Sequence, residues 1–187
     1  MNEIIQFDQN ALVFLNQLGS TTFDGLWLQI TKQLNWTPYF ILLLYLLQKK
    51  LGWKYLLWAL LAIAVLITFT DQFTNLVKNH FERLRPCSEP LLMEKIRIVK
   101  ASATFSFFSG HASNSMATSV FVFLLLKKYY KYAFLVFLFP LIFAYSRIYL
   151  GLHYPLDILT GYVFGATFGF LFHTLFTKLY LKYASNR

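Results

Sequence analysis

Three short polar clusters interrupt an otherwise apolar sequence, and their residue types suit phosphate chemistry. They occupy residues 78–86, 109–111 and 146–157. Lysine and arginine bind phosphate oxygens, and the planar arginine side chain does so with two parallel hydrogen bonds. A glycine before a helix lets the backbone approach an anion, and free N–H groups at a helix N-terminus bind it. The predicted phosphate ligands are Lys78, Arg85, Ser109, Gly110 and Arg147.

The same clusters hold two histidines, which can divide the chemistry into a nucleophile and a general acid. They are His111 and His153. Asp157 follows His153 by four residues, one helical turn, and is therefore close enough to hold that imidazole in one tautomer. This inventory predicts phosphoryl transfer through a phosphohistidine.

Neither a metal nor another cofactor is expected. No grouping of cysteine, histidine and carboxylate has the spacing of a zinc site, and carboxylates near the clusters are too few for a two-metal centre. The predicted mechanism is therefore metal-independent.

The elements that must position these clusters are predicted to be membrane helices. Hydrophobic residues make up 57% of the 187 residues and charged residues only 13%, which excludes a disordered chain. The single cysteine, Cys87, excludes a disulfide scaffold. Long stretches without charge predict an all-α, polytopic membrane bundle that forms one domain over residues 1–187. About five transmembrane helices are expected, near 23–48, 54–78, 110–127, 131–149 and 155–180.

Residues 1–22 differ from the predicted spans. Three polar residues, 8–10, precede an apolar run that ends near Gly19, which predicts an amphipathic helix on the membrane surface. No Lys or Arg occurs before Lys32, so this segment lacks the basic start of a usual signal peptide.

The distribution of charge predicts the orientation. Segments 49–54, 127–131 and 178–187 fall on one side of the membrane and hold nine of the 17 basic residues without any acid. The positive-inside rule makes that side, with the C-terminus, cytoplasmic and puts the polar clusters on the extracytoplasmic (periplasmic) face. This topology also accounts for the high net charge, so a nucleic-acid partner is not expected. The basic residues are Lys49, Lys50, Lys54, Lys127, Lys128, Lys131, Lys178, Lys182 and Arg187.

Together the three clusters resemble the signature of the type 2 phosphatidic acid phosphatase (PAP2) family, whose site is shared with vanadium haloperoxidases. Residues 78–86 fit K-x6-R-P, residues 109–111 fit the core of P-S-G-H, and residues 146–157 fit S-R-x5-H-x3-D. The resemblance implies that His153 is the nucleophile, Asp157 its partner and His111 the acid for the leaving oxygen. It implies that the five predicted ligands bind phosphate.

Two features depart from the family pattern. Phe108 stands where the family often has proline, so the turn before Ser109 is expected to be less rigidly set. Family members commonly have six spans, one more than the five expected here.

The expected function is that of an integral membrane lipid phosphatase in a cell membrane. Undecaprenyl diphosphate, phosphatidylglycerophosphate, phosphatidic acid and lipid A phosphate are all candidate substrates, since each carries a terminal phosphate beside a bilayer. The alternatives are a vanadate-dependent haloperoxidase-like enzyme and a non-catalytic membrane scaffold or transporter. The sequence leaves the oligomeric state open.

Other polar residues have simpler expected roles. Asp71 is expected to pair with Lys78 or with a neighbouring helix and so support the site. His80 is expected in a solvated loop, and His173 in helix packing deep in the last span. Cys87 is expected to be a small loop residue. A solvated lip is expected to contain Glu82, Arg83, Glu89, Glu94, Lys95, Arg97 and Lys100.

Overall fold

A computed structural model describes residues 2–183 as an all-helical bundle. Met1 and residues 184–187 lie outside the described residues. They include Arg187, one of the nine basic residues from which the orientation is predicted. Three 3-10 turns, at Gln33–Trp36, Pro86–Ser88 and Ala133–Phe137, connect or extend the helices. The α-helices are α1 (Asn2–Gln17), α2 (Thr21–Ile30), α3 (Thr37–Phe81), α4 (Pro90–Met93), α5 (Gly110–Leu126), α6 (Leu138–Tyr149) and α7 (Pro155–Tyr183).

The long helix α3 is a hairpin of two arms rather than one rod. Gly52 has φ 76° and ψ 167°, outside the helical region, and glycine adopts this conformation without steric cost. A straight helix would hold Phe40 and Ile67 about 40 Å apart. Both residues instead line one cavity, so the arms 37–51 and 53–81 run back alongside each other.

The helices match most of the predicted spans in extent, but the first prediction is wrong as a single helix. Over residues 23–48 the chain leaves α2 after Ile30, passes through the 3-10 turn at Gln33–Trp36 and enters α3 at Thr37. Pro38 lies in the first turn of α3. Backbone N–H groups in this turn have no acceptor within the helix, so proline, which lacks an N–H, costs no hydrogen bond there. The second hairpin arm, α5, α6 with the turn before it, and α7 cover the four remaining predicted spans. Only the segment containing α3 and helix α7 are, by themselves, long and apolar enough to cross a membrane among residues 2–183.

Helices α5 and α7 approach each other closely, because α7 presents glycines along one face. Gly161, Gly165 and Gly169 are each one helical turn apart. A Cβ atom at Gly161 would lie 2.7 Å from the carbonyl oxygen of Ser109, and one at Gly165 would overlap the carbonyl oxygen of Ser113. Small residues at this spacing let helix backbones approach in a membrane. The contact fixes the start of α5 beside the start of α7.

Helix α1 is shorter than the predicted 1–22 segment, and two of its polar residues face the protein. Asp8 and Asn16 are buried with Leu12, whereas Phe7 and Phe14 are exposed. Asn16 Nδ2 donates to the carbonyl oxygens of residues 97, 148 and 149, and its Oδ1 accepts from the backbone N–H of Arg97. These bonds hold α1 against the loop before α5 and the end of α6.

The basic segments meet at one end of the bundle. The Lys50 ammonium lies 5.7 Å from the ring centroid of Tyr130, and the rings of Tyr55 and Tyr180 are 4.4 Å apart. These contacts join the hairpin bend, the α5–α6 connection and the end of α7. The three motif clusters lie at the opposite ends of the same helices.

Candidate active site

The polar clusters converge where α3 ends, α5 begins, α6 ends and α7 begins. Lys78 and His111 line a cavity of about 300 Å³ between α3, α5 and α6. Arg85, Arg147 and His153 are buried beside it, at 5%, 6% and 1% exposure. Lys78 and His111 thus line the cavity itself, whereas Arg85, Arg147 and His153 are buried outside its lining.

His153 lies in the turn between α6 and α7 and contacts Asp157 in the first turn of α7. Nδ1 of His153 is 3.3 Å from Oδ2 of Asp157. The same Oδ2 accepts the backbone N–H of Tyr154, 3.0 Å away, as an acidic residue in the first turn often does for the residue that precedes the helix. Asp157 is therefore held by the helix terminus that it caps.

The opposite ring nitrogen of His153 contacts Arg85. Nε2 of His153 lies 3.1 Å from Nη1 of Arg85, and arginine can only donate. Nε2 is therefore the acceptor nitrogen, and Nδ1 carries the proton that faces Asp157. Burial lowers the pKa of His153 well below its ordinary value, although the hydrogen bond with Asp157 opposes this shift. The ring is neutral, with its lone pair on Nε2.

Arg85 is oriented by the loop before α5. Its Nε donates to the carbonyl oxygen of Thr104 at 2.8 Å, and its Nη2 donates to the hydroxyl of Thr104 at the same distance. Nη1 also donates to the carbonyl oxygen of Leu152 at 3.1 Å. These bonds fix the plane of the guanidinium group beside His153.

Arg147, near the end of α6, is held by a residue far away in sequence. Its Nη1 donates to the hydroxyl of Thr31 at 2.6 Å. Its Nε is buried and has no hydrogen-bond partner among the described residues. A buried, unpaired guanidinium N–H is costly, and an oxyanion ligand would satisfy it.

Ser109 caps α5 and connects it to α7. Its hydroxyl accepts the backbone N–H of Ala112 at 3.3 Å, and its own N–H donates to the carbonyl oxygen of Asp157 at 3.0 Å. The N–H groups of Gly110 and His111 begin the helix, where no intrahelical acceptor exists for them. The His111 ring is exposed to the cavity and stacks on Phe143, with centroids 5.3 Å apart. This helix start can therefore bind an anion.

Phe108 anchors the turn before Ser109 by packing. Its side chain is fully buried and stacks on Phe164 of α7, with centroids 5.1 Å apart and planes 15° apart. The ring centroid of Phe73 on α3 lies 6.2 Å from that of Phe108. Aromatic contacts with two helices thus hold this position, where the family often has proline.

Arg83 was expected in a solvated lip, but it lies between two buried carboxylates. Its Nη1 is 2.9 Å from Oδ1 of Asp157, and its Nη2 is 2.7 Å from Oδ2 of Asp8 on α1. Its guanidinium carbon also lies 3.7 Å from the ring centroid of Tyr154. Oδ1 of Asp8 accepts the backbone N–H of Leu156 at 2.8 Å, so α1 caps α7 from outside. The prediction for Arg83 is wrong because its partners lie far away in sequence.

Ser106 is a second residue that motif spacing does not identify. Its hydroxyl hydrogen-bonds Oδ2 of Asp157 and lies 3.4 Å from Nδ1 of His153. Its backbone N–H donates to the carbonyl oxygen of Arg83 at 2.8 Å. No sequence pattern distinguishes Ser106 from the neighbouring serines and threonines of the loop.

Other polar residues have mixed outcomes. The prediction for Arg97 is wrong, because its Nη2 is 2.6 Å from Oδ1 of Asp24 on α2. His80 is exposed, but in the last turn of α3 rather than in a loop. His173 packs edge-on against Phe121, with centroids 5.8 Å apart. Cys87 is buried in the 3-10 turn after Arg85.

Asp71 pairs with a neighbouring helix, the second of its two expected partners. Its Oδ1 accepts from Nδ2 of Asn114 on α5 at 2.7 Å. Both residues line the same cavity as Lys78 and His111. Asp71 therefore faces the site from about two helical turns below Lys78.

Within residues 2–183, no three or more histidine, cysteine, aspartate or glutamate side chains are grouped in a way that could hold a metal ion.

Comparisons with known proteins agree with this architecture. Residues 53–181 match the model of the PAP2 superfamily. The chain is 34% identical over 183 residues to the lipid A 4'-phosphatase of Bacteroides thetaiotaomicron, covering 96% of this chain and 81% of that protein. It is 27% identical over 190 residues to the lipid A 4'-phosphatase of Porphyromonas gingivalis, covering 100% and 78% of the two chains. The fold is similar to the crystal structure of a transmembrane PAP2-type phosphatidylglycerolphosphate phosphatase from Bacillus subtilis, with a TM-score of 0.70, 20% identity and coverage of 95% and 88%.

Proposed function

The chain belongs to the PAP2 superfamily, and we propose from this membership and the site geometry that it removes a phosphate group from a membrane lipid through a phosphohistidine at His153. The single observation that carries the proposal is the contact of His153 with Asp157 on one ring nitrogen and with Arg85 on the other. These two contacts give His153 a neutral imidazole whose lone pair, on Nε2, lies beside Arg85, a proposed phosphate-binding cation. The chain is a lipid phosphatase and an enzyme.

In the first step, Nε2 of His153 attacks phosphorus, and the bond between phosphorus and the lipid oxygen breaks. His111 donates a proton to that departing oxygen. Asp157 stabilises the positive charge that develops on His153, as a carboxylate does for the histidine of a catalytic triad. The buried position of Asp157 and its several hydrogen bonds support this role.

In the second step, water attacks the phosphohistidine, and the bond between phosphorus and Nε2 breaks. His111 accepts a proton from the water, which restores the protonation state that it lost in the first step. Its exposure to the cavity supports this exchange with solvent. Inorganic phosphate and the neutral His153 are the products.

The charge on the transferred group is balanced by fixed donors. Lys78, Arg85 and Arg147 provide three cations, and the N–H groups at the start of α5 provide dipoles. The unpaired Nε of Arg147 supports this assignment, since a phosphate oxygen would complete its hydrogen bonding. Such preorganised donors stabilise transition-state charge without reorganisation.

Arg83 and Ser106 are positioning residues in this mechanism. Asp157 must present Oδ2 to His153, and Arg83 holds its other oxygen. Ser106 contacts both Asp157 and His153. Helix α1, through Asp8, therefore contributes to the orientation of the nucleophile.

The substrate is a lipid phosphate, and lipid A phosphate is the candidate that the relatives favour. Two of them are lipid A 4'-phosphatases, and one of these covers 96% of the chain. Phosphate release from lipid A, phosphatidic acid, phosphatidylglycerophosphate and undecaprenyl diphosphate by purified protein tests the proposal. We expect release from at least one lipid with EDTA present, none from His153→Ala, and inhibition by vanadate as a transition-state mimic. Equal release by His153→Ala would contradict the proposal.

We further propose that the chain is one domain with five spans and that the site faces the extracytoplasmic side. The basic end of the bundle, opposite the site, supports this orientation. In a Cys87→Ser background, a cysteine at Glu89 should react with an impermeant thiol reagent in intact cells, and a cysteine at Tyr129 should not. The reverse pattern would overturn the orientation.

A further inference from the structure

The site cavity continues beyond the catalytic residues and has a polar wall inside the bundle. From Lys78 and His111 it extends along α3 and α5 to Ile67 and Thr118, and Phe139 also lines it. Thr118 follows His111 by seven positions, which corresponds to about 10 Å along the helix. A lipid bound by its phosphate near His111 has room here for the part of the molecule next to the phosphate.

Three polar residues form a band across this passage, which we call the polar collar: Asp71, Asn75 and Asn114. All three line the cavity. Asn114 is fixed, since its Nδ2 donates to Oδ1 of Asp71 and its Oδ1 accepts the hydroxyl of Thr70. Oδ2 of Asp71 accepts no hydrogen bond from any residue of the described chain, and the Asp71 side chain is exposed to the cavity. A carboxylate oxygen is thus available to a ligand.

A separate observation at Thr74 also points to a ligand. Thr74 lies between Asp71 and Lys78 on α3, lines the cavity and is only 2% exposed. Its hydroxyl has no hydrogen-bond partner within residues 3–182. Buried hydroxyl groups are normally paired, so this one lacks a partner that a polar ligand would provide.

The position of the polar collar restricts what can connect a phosphate to a lipid tail. An isoprenyl chain that begins directly after the phosphate would cover Asp71 and Asn114 with hydrocarbon and leave them desolvated. A diphosphate would place its inner, anionic phosphate toward the Asp71 carboxylate, and like charges repel. A neutral unit with hydroxyl or amide groups would instead hydrogen-bond all three side chains.

We propose that the polar collar selects lipid phosphates in which an uncharged, hydroxyl-bearing ring, such as a sugar, separates the phosphate from the tail. This inference rests on the proposed phosphatase function and assigns Asp71, Asn75 and Asn114 as specificity-determining residues. Sites built to hydrogen-bond a substrate reject analogues without the matching groups much more strongly than apolar pockets reject a size change.

Three matched probes test the proposal: a decyl glucoside 6-phosphate, decyl phosphate and farnesyl diphosphate. The readout is the ratio of kcat/KM values within each variant. For the wild type we expect kcat/KM for the sugar phosphate to be at least about tenfold higher than for each of the other probes. This is the effect of one hydrogen bond to a charged group. Asp71→Asn removes the charge but keeps the shape of the side chain. It should therefore raise kcat/KM for farnesyl diphosphate several-fold relative to kcat/KM for decyl phosphate. Asp71→Leu and, as a second variant, Asn75→Leu should reduce the preference for the sugar phosphate about tenfold.

Gln72→Leu is the matched control, because Gln72 is exposed on the same helix outside the cavity lining. It should keep the wild-type ratios. Suppose that the kcat/KM ratios are unchanged in both Asp71 variants and in Asn75→Leu, while phosphate release is intact. This result would overturn the proposed selectivity of the polar collar but not the phosphatase function. A wild type that prefers farnesyl diphosphate would also overturn that selectivity. A wild type that releases phosphate from none of the probes or lipids would overturn the proposed function together with this inference.

Discussion

Nη1 of Arg83 lies 2.9 Å from Oδ1 of Asp157, and the other end of the same guanidinium group contacts Asp8. One cation thus joins the N-terminal helix to the carboxylate that orients His153. Arg83→Gln should leave two buried carboxylates without their cation and allow Asp157 to move. We expect kcat to fall about a hundredfold, as for a misplaced catalytic group. We expect KM to change little, because Arg83 does not contact phosphate in the proposed mechanism.

A stability measurement separates positioning from general damage. Arg83→Gln should lower the free energy of unfolding by about 2 kcal/mol, less than for a fully buried pair because Arg83 is 24% exposed. Adding Asp8→Asn should recover part of this stability without recovering kcat. Lys95→Gln, which removes an exposed charge, is the control. If the double variant regained both stability and kcat, Arg83 would have only a structural role.

The glycine face of α7 provides a second prediction. A methyl group at Gly165 would overlap the carbonyl oxygen of Ser113 and force α7 away from α5. Gly165→Ala should destabilise the protein by about 1–3 kcal/mol and lower activity, since the starts of both helices carry site residues. Gly25→Ala is the matched control, because a Cβ atom there has open space within 4 Å. Thermal unfolding in detergent micelles and phosphate release measure both effects, and equal behaviour of the two variants would refute the role of the close contact.

Burial of His153 predicts how the site responds to pH. The pKa of His153 is lowered on folding, so its imidazole stays neutral as the pH falls through 6.5. In the unfolded chain this histidine binds a proton near its ordinary pKa of about 6.5, whereas in the folded chain it does not. The free energy of unfolding therefore keeps its full value above pH 6.5 and falls as the pH drops below it. Nitrogen-15 NMR of labelled histidine, assigned with His153→Gln, should show no protonation of His153 between pH 8 and pH 5.5. A titration centred near 6.5 would contradict the neutral nucleophile.

Arg147 should not tolerate lysine, although lysine keeps the charge. Lysine lacks the planar group that contacts Thr31 with one N–H and leaves Nε for phosphate. We expect Arg147→Lys to lower kcat about 10²–10³-fold, the usual cost of one preorganised donor. Arg97→Lys is the matched control, since Arg97 pairs with Asp24 outside the site. Near wild-type turnover of Arg147→Lys would mean that Arg147 acts only through its charge.

Spacing in the sequence was enough to predict the clusters that converge, because each lies where a helix begins or ends. Lys78 and Arg85 flank the end of α3, and Ser109 caps α5. Asp157 sits one turn after His153, a local relationship that a helix start fixes.

Long-range partners were not predictable in this way. Arg83 contacts Asp8 across 75 residues, and Arg147 contacts Thr31 across 116 residues. Which face of α1 meets the bundle depends on packing, and the sequence did not indicate that Asp8 and Asn16 would be buried on that face. The first predicted span was wrong for a related reason. The charge-free stretch 33–48 includes the 3-10 turn at Gln33–Trp36, so composition alone did not show where α3 begins.

The most direct test of the account is to trap the phosphoenzyme. In His111→Ala, p-nitrophenyl phosphate labelled with phosphorus-32 needs little help from a general acid in the first step, since nitrophenolate is a stable leaving group. The second step lacks the residue that activates water, so the intermediate should accumulate. We predict label on the protein that is labile to acid and stable to base, and its absence from the His111→Ala/His153→Ala double variant. Equal label in the double variant, or none in His111→Ala while phosphate is still released, would contradict a phosphohistidine at His153.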